Sequence, residues 1–252
     1  MLKEMVQELQ NSFLDDFSRY ARLMPVVVLA LPFGVSLLAC GVFQNQKVSL
    51  ETAPFLLLML GAAAFAMYVF RNRGKAVEVV MYDRFGAMPT TIIQRFSDQR
   101  VDAVTKQRYH KRLNEVYGLH LPERAEDETP ESDAQYESAA NILRNYANSH
   151  RETEPRVYQE LKEYNFYRNL YGGKWIALVV YVLTAGREIW ILRPADIGQL
   201  IDGMTSDYAV LLIMVLAILA LLLFVRKSSV EQKAFDNAKT LIEVCGRIRP
   251  ET

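Results

Sequence analysis

The chain has 252 residues, and its 29 lysines and arginines balance its 29 aspartates and glutamates, leaving a formal net charge of zero. That balance offers no electrostatic footprint for long duplex nucleic acid, and two cysteines are too few for a disulfide-stapled secreted fold. The apolar residues are gathered into blocks, and the blocks govern the reading.

Residues 1–22 set Leu2, Met5, Val6, Leu9, Phe13, Phe17 and Tyr20 at helical spacing, opposite acids and amides. They predict an amphipathic N-terminal helix that covers a core or lipid interface, or makes a gating or subunit contact. Pro25 to Phe43 then holds 19 residues without a charge, and Ala53 to Phe70 another 18. About 20 helical residues cross a bilayer's hydrocarbon core, so residues 23–70 are expected to form a transmembrane hairpin. Glu4, Glu8, Asp15 and Asp16 precede the first block and no small-residue cleavage site ends it, which predicts a retained span rather than a signal peptide. Pro32, Gly34, Ser36 and Gly41 in one block, with Gly61 to Ala64 and Ala66 in the other, permit close helix approach.

Residues 71–173 predict a small, mostly helical cytoplasmic domain. Ser97 to Tyr117 opens on a Ser-Asp cap and sets Val101, Val104, Tyr109, Leu113 and Val116 on one side. Leu121 to Asp133 is acidic and interrupted by prolines, hence an exposed loop in which Glu126, Asp127 and Glu128 are solvated. Asp133 is placed to cap a helix through Tyr136, Ala139, Ala140, Leu143 and Tyr146. A further helix runs from Pro155 to about Tyr171, where Gly172 and Gly173 end it. Ala76 to Tyr82 hints weakly at a strand.

Trp175 to Leu192 is apolar except for Arg187 and Glu188, and its two tryptophans lie 15 residues apart, about 22 Å along a helix. It reads as a short or tilted third span with the charged pair near its outer end. Tyr208 to Val225 is a fourth, so residues 174–225 form a second hairpin. The tail, 226–252, sets Val230, Ala234, Ala238, Leu241, Cys245 and Ile248 at spacings of three and four, an amphipathic helix that packs on its own chain or self-associates. The fold class is thus a mainly α membrane protein, with four transmembrane helices in two pairs flanking a cytoplasmic domain. Lysines and arginines crowd the flanks on one side of the four spans, which places both termini and the central domain in the cytoplasm.

No catalytic constellation emerges. His110, His120 and His150 fit no zinc spacing, and "YGGK" lacks the length and the Ser or Thr of a phosphate-binding loop. Neither catalysis, a metal nor a cofactor is expected. Among the basic residues from Arg95 to Arg112, a helix would set Arg108, Lys111 and Arg112 on one face, a candidate surface for an anionic ligand. A solvated or membrane-facing cationic helix explains the same pattern. Asn165, Arg168 and Asn169, with Gly172 and Gly173, form a candidate gating hinge where the domain meets the third span. Arg187 and Glu188 are candidates to line a pore or its vestibule.

"PTT" (Pro89 to Thr91), "TKQRYHKRL" (Thr105 to Leu113), Asp133 with Tyr136, and "YNFYRNLYGGK" (Tyr164 to Lys174) together resemble a family of bacterial inner-membrane proteins. In that family the last motif resembles YGFRRNLxGxK; here Asn165 stands where glycine is usual and Tyr167 where an arginine is usual. The resemblance implies an inner-membrane location and brings no activity with it. The overall plan is similar to multipass anti-phage effectors such as the channel subunit of the Hailong system. That likeness implies an oligomeric channel, a tetramer or larger, gated through its cytoplasmic domain by a nucleotide or by a partner such as a nucleotidyltransferase. A non-conducting membrane-anchored sensor or scaffold that recruits a soluble enzyme is the alternative.

Overall fold

The computed structural model describes residues 15–39, 53–192 and 206–248, and is 83% helical with no strand among them. The expected amphipathic helix at the N-terminus lies, up to residue 14, outside the described residues, as do Cys40 and Gly41. The longer helices among the described residues are α1 (Met24–Ala39), α2 (Ala53–Phe85), α3 (Ala103–Tyr117), α4 (Ser132–Ser149), α5 (Pro155–Leu192), α6 (Ser206–Phe224) and α7 (Lys227–Glu243). They form two compact units: residues 1–77 with 165–227, and residues 78–164 with 228–252.

The first unit is apolar inside and out. Its core joins Val26 and Leu29 of α1, Phe70 of α2, Leu170, Ala177, Tyr181 and Ala185 of α5, and Val210, Met214 and Leu221 of α6. Leu31, Leu58, Phe65, Leu183, Leu212 and Trp190 are exposed on the outside, Trp190 to 76%. A soluble domain rarely displays so much contiguous apolar surface. Among the described residues, one helix is long and apolar enough to cross a membrane, Asp16–Leu38, and a second if Tyr208–Phe224 is counted with the helix after it. A helix of this unit begins irregularly: Asp15 accepts from the Ser18 amide, and a π turn, Arg19–Leu23, leads into α1.

The second unit has its core around Leu113 of α3, Tyr136, Ala139 and Leu143 of α4, and Ala238, Leu241 and Ile242 of α7, with Val244, Cys245 and Ile248 beyond it. The tail therefore packs on its own chain.

Four local expectations are corrected. Ala76 to Tyr82 is helical, because it prolongs a helix already formed: Phe70, Gly74 and Met81 are buried, Val79 and Val80 are exposed, and the Tyr82 hydroxyl donates to Glu78 one turn back. Propagating a helix by one residue outweighs a β-branched residue's preference for strand. The cap of α3 is Asp102, whose carboxylate accepts from the Thr105 amide at 2.8 Å, and the helix stops at Gly118 in the left-handed region (φ 65°). Val101 thus precedes the helix, and Val104 points outward at 74% exposure. Asp133 lies inside α4, and its carboxylate pairs with Arg95 instead of capping. Finally, α5 does not end at Gly172 and Gly173; it runs on to Leu192.

Candidate functional site

The two glycines mark the closest approach of two helices in the first unit. A Cβ on Gly172 would lie 2.5 Å from both the Gly74 nitrogen and the Phe70 carbonyl oxygen, and one on Gly173 would lie 2.7 Å from Leu29 and the Phe70 ring. A Cβ on Gly74 would in turn meet the Arg168 carbonyl at 2.8 Å. Backbones of α2 and α5 touch through two glycines, Gly74 and Gly172, while Gly173 admits the Leu29 and Phe70 side chains; small residues allow such packing in membranes, where the apolar effect cannot draw helices together.

Of the five expected hinge residues, four are buried at this crossing, Arg168, Asn169, Gly172 and Gly173, and Asn165 is half-buried. Asn169 donates through Nδ2 to the Ala21 carbonyl at 2.7 Å, inside the π turn. A π turn leaves backbone groups out of regular register, and a buried amide is a suitable partner for one. Lys174 donates to the Val225 carbonyl at 2.8 Å, satisfying an end carbonyl just beyond α6. Further along α5 the Tyr181 hydroxyl donates to the Leu29 carbonyl at 2.6 Å. Tyr181 was not singled out by sequence, although its spacing of four from both Ala177 and Ala185 puts it on the core stripe.

That stripe continues to Glu188, and here the expected pair separates. Arg187 Nη1 donates to Glu188 Oε1 at 2.6 Å, yet the arginine side chain is 64% exposed and the glutamate's only 2%. Glu188 Oε2 has no hydrogen-bond partner among the described residues. A buried carboxylate oxygen with no donor is costly in a low-dielectric surrounding.

In the second unit the basic residues divide. Arg108 and Lys111 are exposed on α3, while Arg112 donates to the Ile248 carbonyl at 2.9 Å and so secures the tail. Lys106 is buried, its ammonium capping the carbonyls of Arg95 and Asp98. Burial pulls its pKa below the ordinary lysine value. Of the predicted anionic-ligand face, Arg108 and Lys111 thus remain exposed, Arg108 beside Thr105 Oγ1 and the Tyr109 ring.

The stretches "PTT", "TKQRYH" and Asp133 with Tyr136 meet around one buried polar cluster. Gln94 donates to the carbonyls of Thr90 and Tyr136, and Arg144 donates to Thr90 Oγ1. Glu128, expected to be solvated, accepts from the Phe96 amide at 3.2 Å and the Tyr136 hydroxyl at 2.9 Å. His110 lies between the Phe96 and Tyr136 rings with Nδ1 2.6 Å from the Pro122 carbonyl. That contact requires the Nδ1–H tautomer, and burial lowers the imidazole pKa. Burial and Glu128 together raise that of Tyr136. These residues fold the segment between α2 and α4. His120 and His150 are exposed, and no group of metal-ligating side chains gathers among the described residues.

Two clefts open in this unit. One, of about 540 Å³, lies along α7 beside Phe85, Arg100 and Phe235; the other, of about 720 Å³, is walled by Tyr82, Asp83, Glu131 and Glu137. Set against protein-family models, curated proteins and solved structures, the chain matches none, so its function is read from its own residues.

Proposed function

We propose that the chain is one subunit of an oligomeric membrane pore, with four spans in two pairs and a cytoplasmic unit that gates it in response to a nucleotide or protein signal. The reading places it in a bacterial inner membrane, as an effector of the anti-phage type, with both termini in the cytoplasm. The observation that carries it is Glu188: a carboxylate drawn into the interior face of an apolar helix, with one oxygen unanswered among the described residues. Ionisable groups in such positions belong to ion pathways far more often than to packing. A neighbouring subunit is one source of the missing donor, and the exposed apolar surface of the unit gives subunits and lipid a face to cover.

The glycine crossing gives the pore reading a moving part. Helices in backbone contact slide or rotate with little side-chain interlocking, so a shift of α5 past α2 would move Glu188 and Arg187 together. The test is cation and anion flux through liposomes containing the purified protein, wild type against E188Q and R187A. Altered selectivity in either variant supports the pair as part of the pathway, whereas unchanged conductance and selectivity in both remove it.

A second reading, a non-conducting membrane anchor that recruits a soluble partner, is favoured by the small number of helices, one or two, that are long and apolar enough to cross on their own. It predicts no flux under any condition, and a monomer or simple dimer in nanodiscs.

A further inference from the structure

We infer that the cleft along α7 is a binding site for a nucleotide-class anion, a planar heteroaromatic ring carrying phosphates, and that it serves in place of the exposed face of α3. Its volume, about 540 Å³, is within the range of small-molecule sites. Its floor is aromatic: the Phe85 and Phe235 rings lie 5.5 Å apart, tilted by 55°. The Arg100 guanidinium is 3.6 Å above the centre of the Phe235 ring.

Arg100 is held on two sides. Phe235 supports one face of its plane, and Asp98, itself nearly buried, pairs with its edge. The side chain still keeps 48% of its surface exposed, so the guanidinium offers a fixed, flat, cationic surface on which a ring can stack. One helical turn beyond Phe235, Lys239 is exposed, lines the same cleft and carries no ion pair among the described residues. Its position i+4 from Phe235 puts it on the same side of α7, in reach of phosphates on a ring stacked at Arg100.

Of the acids in the cleft, Glu231 pairs with Arg84 at 2.5 Å, while Asp236 lies 4.0 Å from a Lys233 that Glu163 holds at 2.6 Å and so is left largely unmatched. Arg100 pairs with Asp98, and Lys239 is the cation of the cleft with no ion pair among the described residues. Arg108 and Lys111, by contrast, line neither of the two clefts described in this unit.

The inference rests on the proposed function only in that the cytoplasmic unit receives a soluble signal, and binding is read without any current. The full chain in nanodiscs is titrated with ATP, with inorganic triphosphate and with adenosine by calorimetry. Saturable ATP binding is expected, with triphosphate and adenosine each weaker by about tenfold or more, since each lacks one half of the recognition. R100A and R100K should both weaken ATP binding roughly tenfold while leaving triphosphate much less affected, because the lysine keeps the charge but loses the plane. K239A should weaken ATP and triphosphate alike by about three- to tenfold, and K239R should restore both. R108A with K111A should leave every affinity unchanged. No saturable ATP binding, equal binding of ATP and triphosphate, or loss in the R108A/K111A variant with retention in R100A overturns the assignment. Failure here leaves the pore reading intact, while ATP binding without flux in any condition removes the pore reading and keeps the site.

Discussion

Gly172→Ala isolates the helix crossing from every other feature of the first unit. The new methyl carbon would stand 2.5 Å from two backbone atoms, the Gly74 nitrogen and the Phe70 carbonyl oxygen, neither of which can rotate away. Ordinary contact lies near 3.5 Å, so the helices must part by about 1 Å, which forfeits a quarter to a half of the dispersion energy of each atom pair at the crossing. Overpacking of this kind costs about 1–3 kcal/mol, and alanine's better helix propensity returns at most about 1 kcal/mol. The net loss is about 1–2 kcal/mol, a fall of a few degrees in the unfolding midpoint at about 2–4 °C per kcal/mol. Gly186→Ala is the control in the same helix: nothing lies within 4 Å of its Cβ position, so only the propensity gain remains and the midpoint should hold or rise. Thermal unfolding in one detergent, followed by tryptophan fluorescence, compares the two. Equal midpoints for Gly172→Ala, Gly186→Ala and wild type would refute the claim that the backbones touch.

Removing Arg187 while keeping Glu188 leaves the buried carboxylate without its one donor among the described residues, so Arg187→Ala should cost about 3 kcal/mol, and adding Glu188→Gln should recover at least half of that. A double variant no more stable than the single one would mean that the carboxylate has another partner. For His110, burial depresses the pKa below the ordinary 6.5, so below that pH the unfolded chain binds the proton more readily than the folded one. The contribution is full above pH 6.5 and is lost as the pH falls towards the folded value; amide exchange of residues 103–117 should therefore quicken between pH 7 and 5.5, beyond the intrinsic rate. Exchange corrected for intrinsic rate that does not change over that range would contradict it. Burial pushes the Cys245 thiol up to about 12, so with Cys40→Ser in place maleimide should label the folded protein at pH 7.5 at least about a hundredfold more slowly than the denatured one. Comparable rates would show that the tail does not stay packed on its own chain.

Much of the framework could be read from residue order, and the misreadings have a common form. Asp133 has the residue type and position of a helix cap, but a cap and an ion-pair partner look alike until Arg95 is known to lie beside it. Glu128 sits in an acidic, proline-flanked stretch that reads as solvated, yet the Phe96 amide and Tyr136 hydroxyl claim it. Lys106 belongs to a run of cations along the chain and leaves that run in space, turned onto two carbonyls. In each case composition identified a polar group, and only long-range contact identified its partner.

The sequence by itself determined the helical blocks, the apolar character of the first unit and the core stripe of the tail, because burial repeats at the period of the helix and periodicity is a local property. It could not decide what Gly172 and Gly173 are for. A glycine that ends a helix and a glycine that admits another helix are the same residue in the same pattern, and the difference lies in Gly74 and Phe70, about a hundred residues away along the chain. Tertiary structure also divided Arg187 from Glu188, adjacent in the chain and thus about 100° apart around α5, so that one faces outward and the other inward. Which of two neighbours is buried depends on where the other helices stand, and that is settled only when the chain has folded.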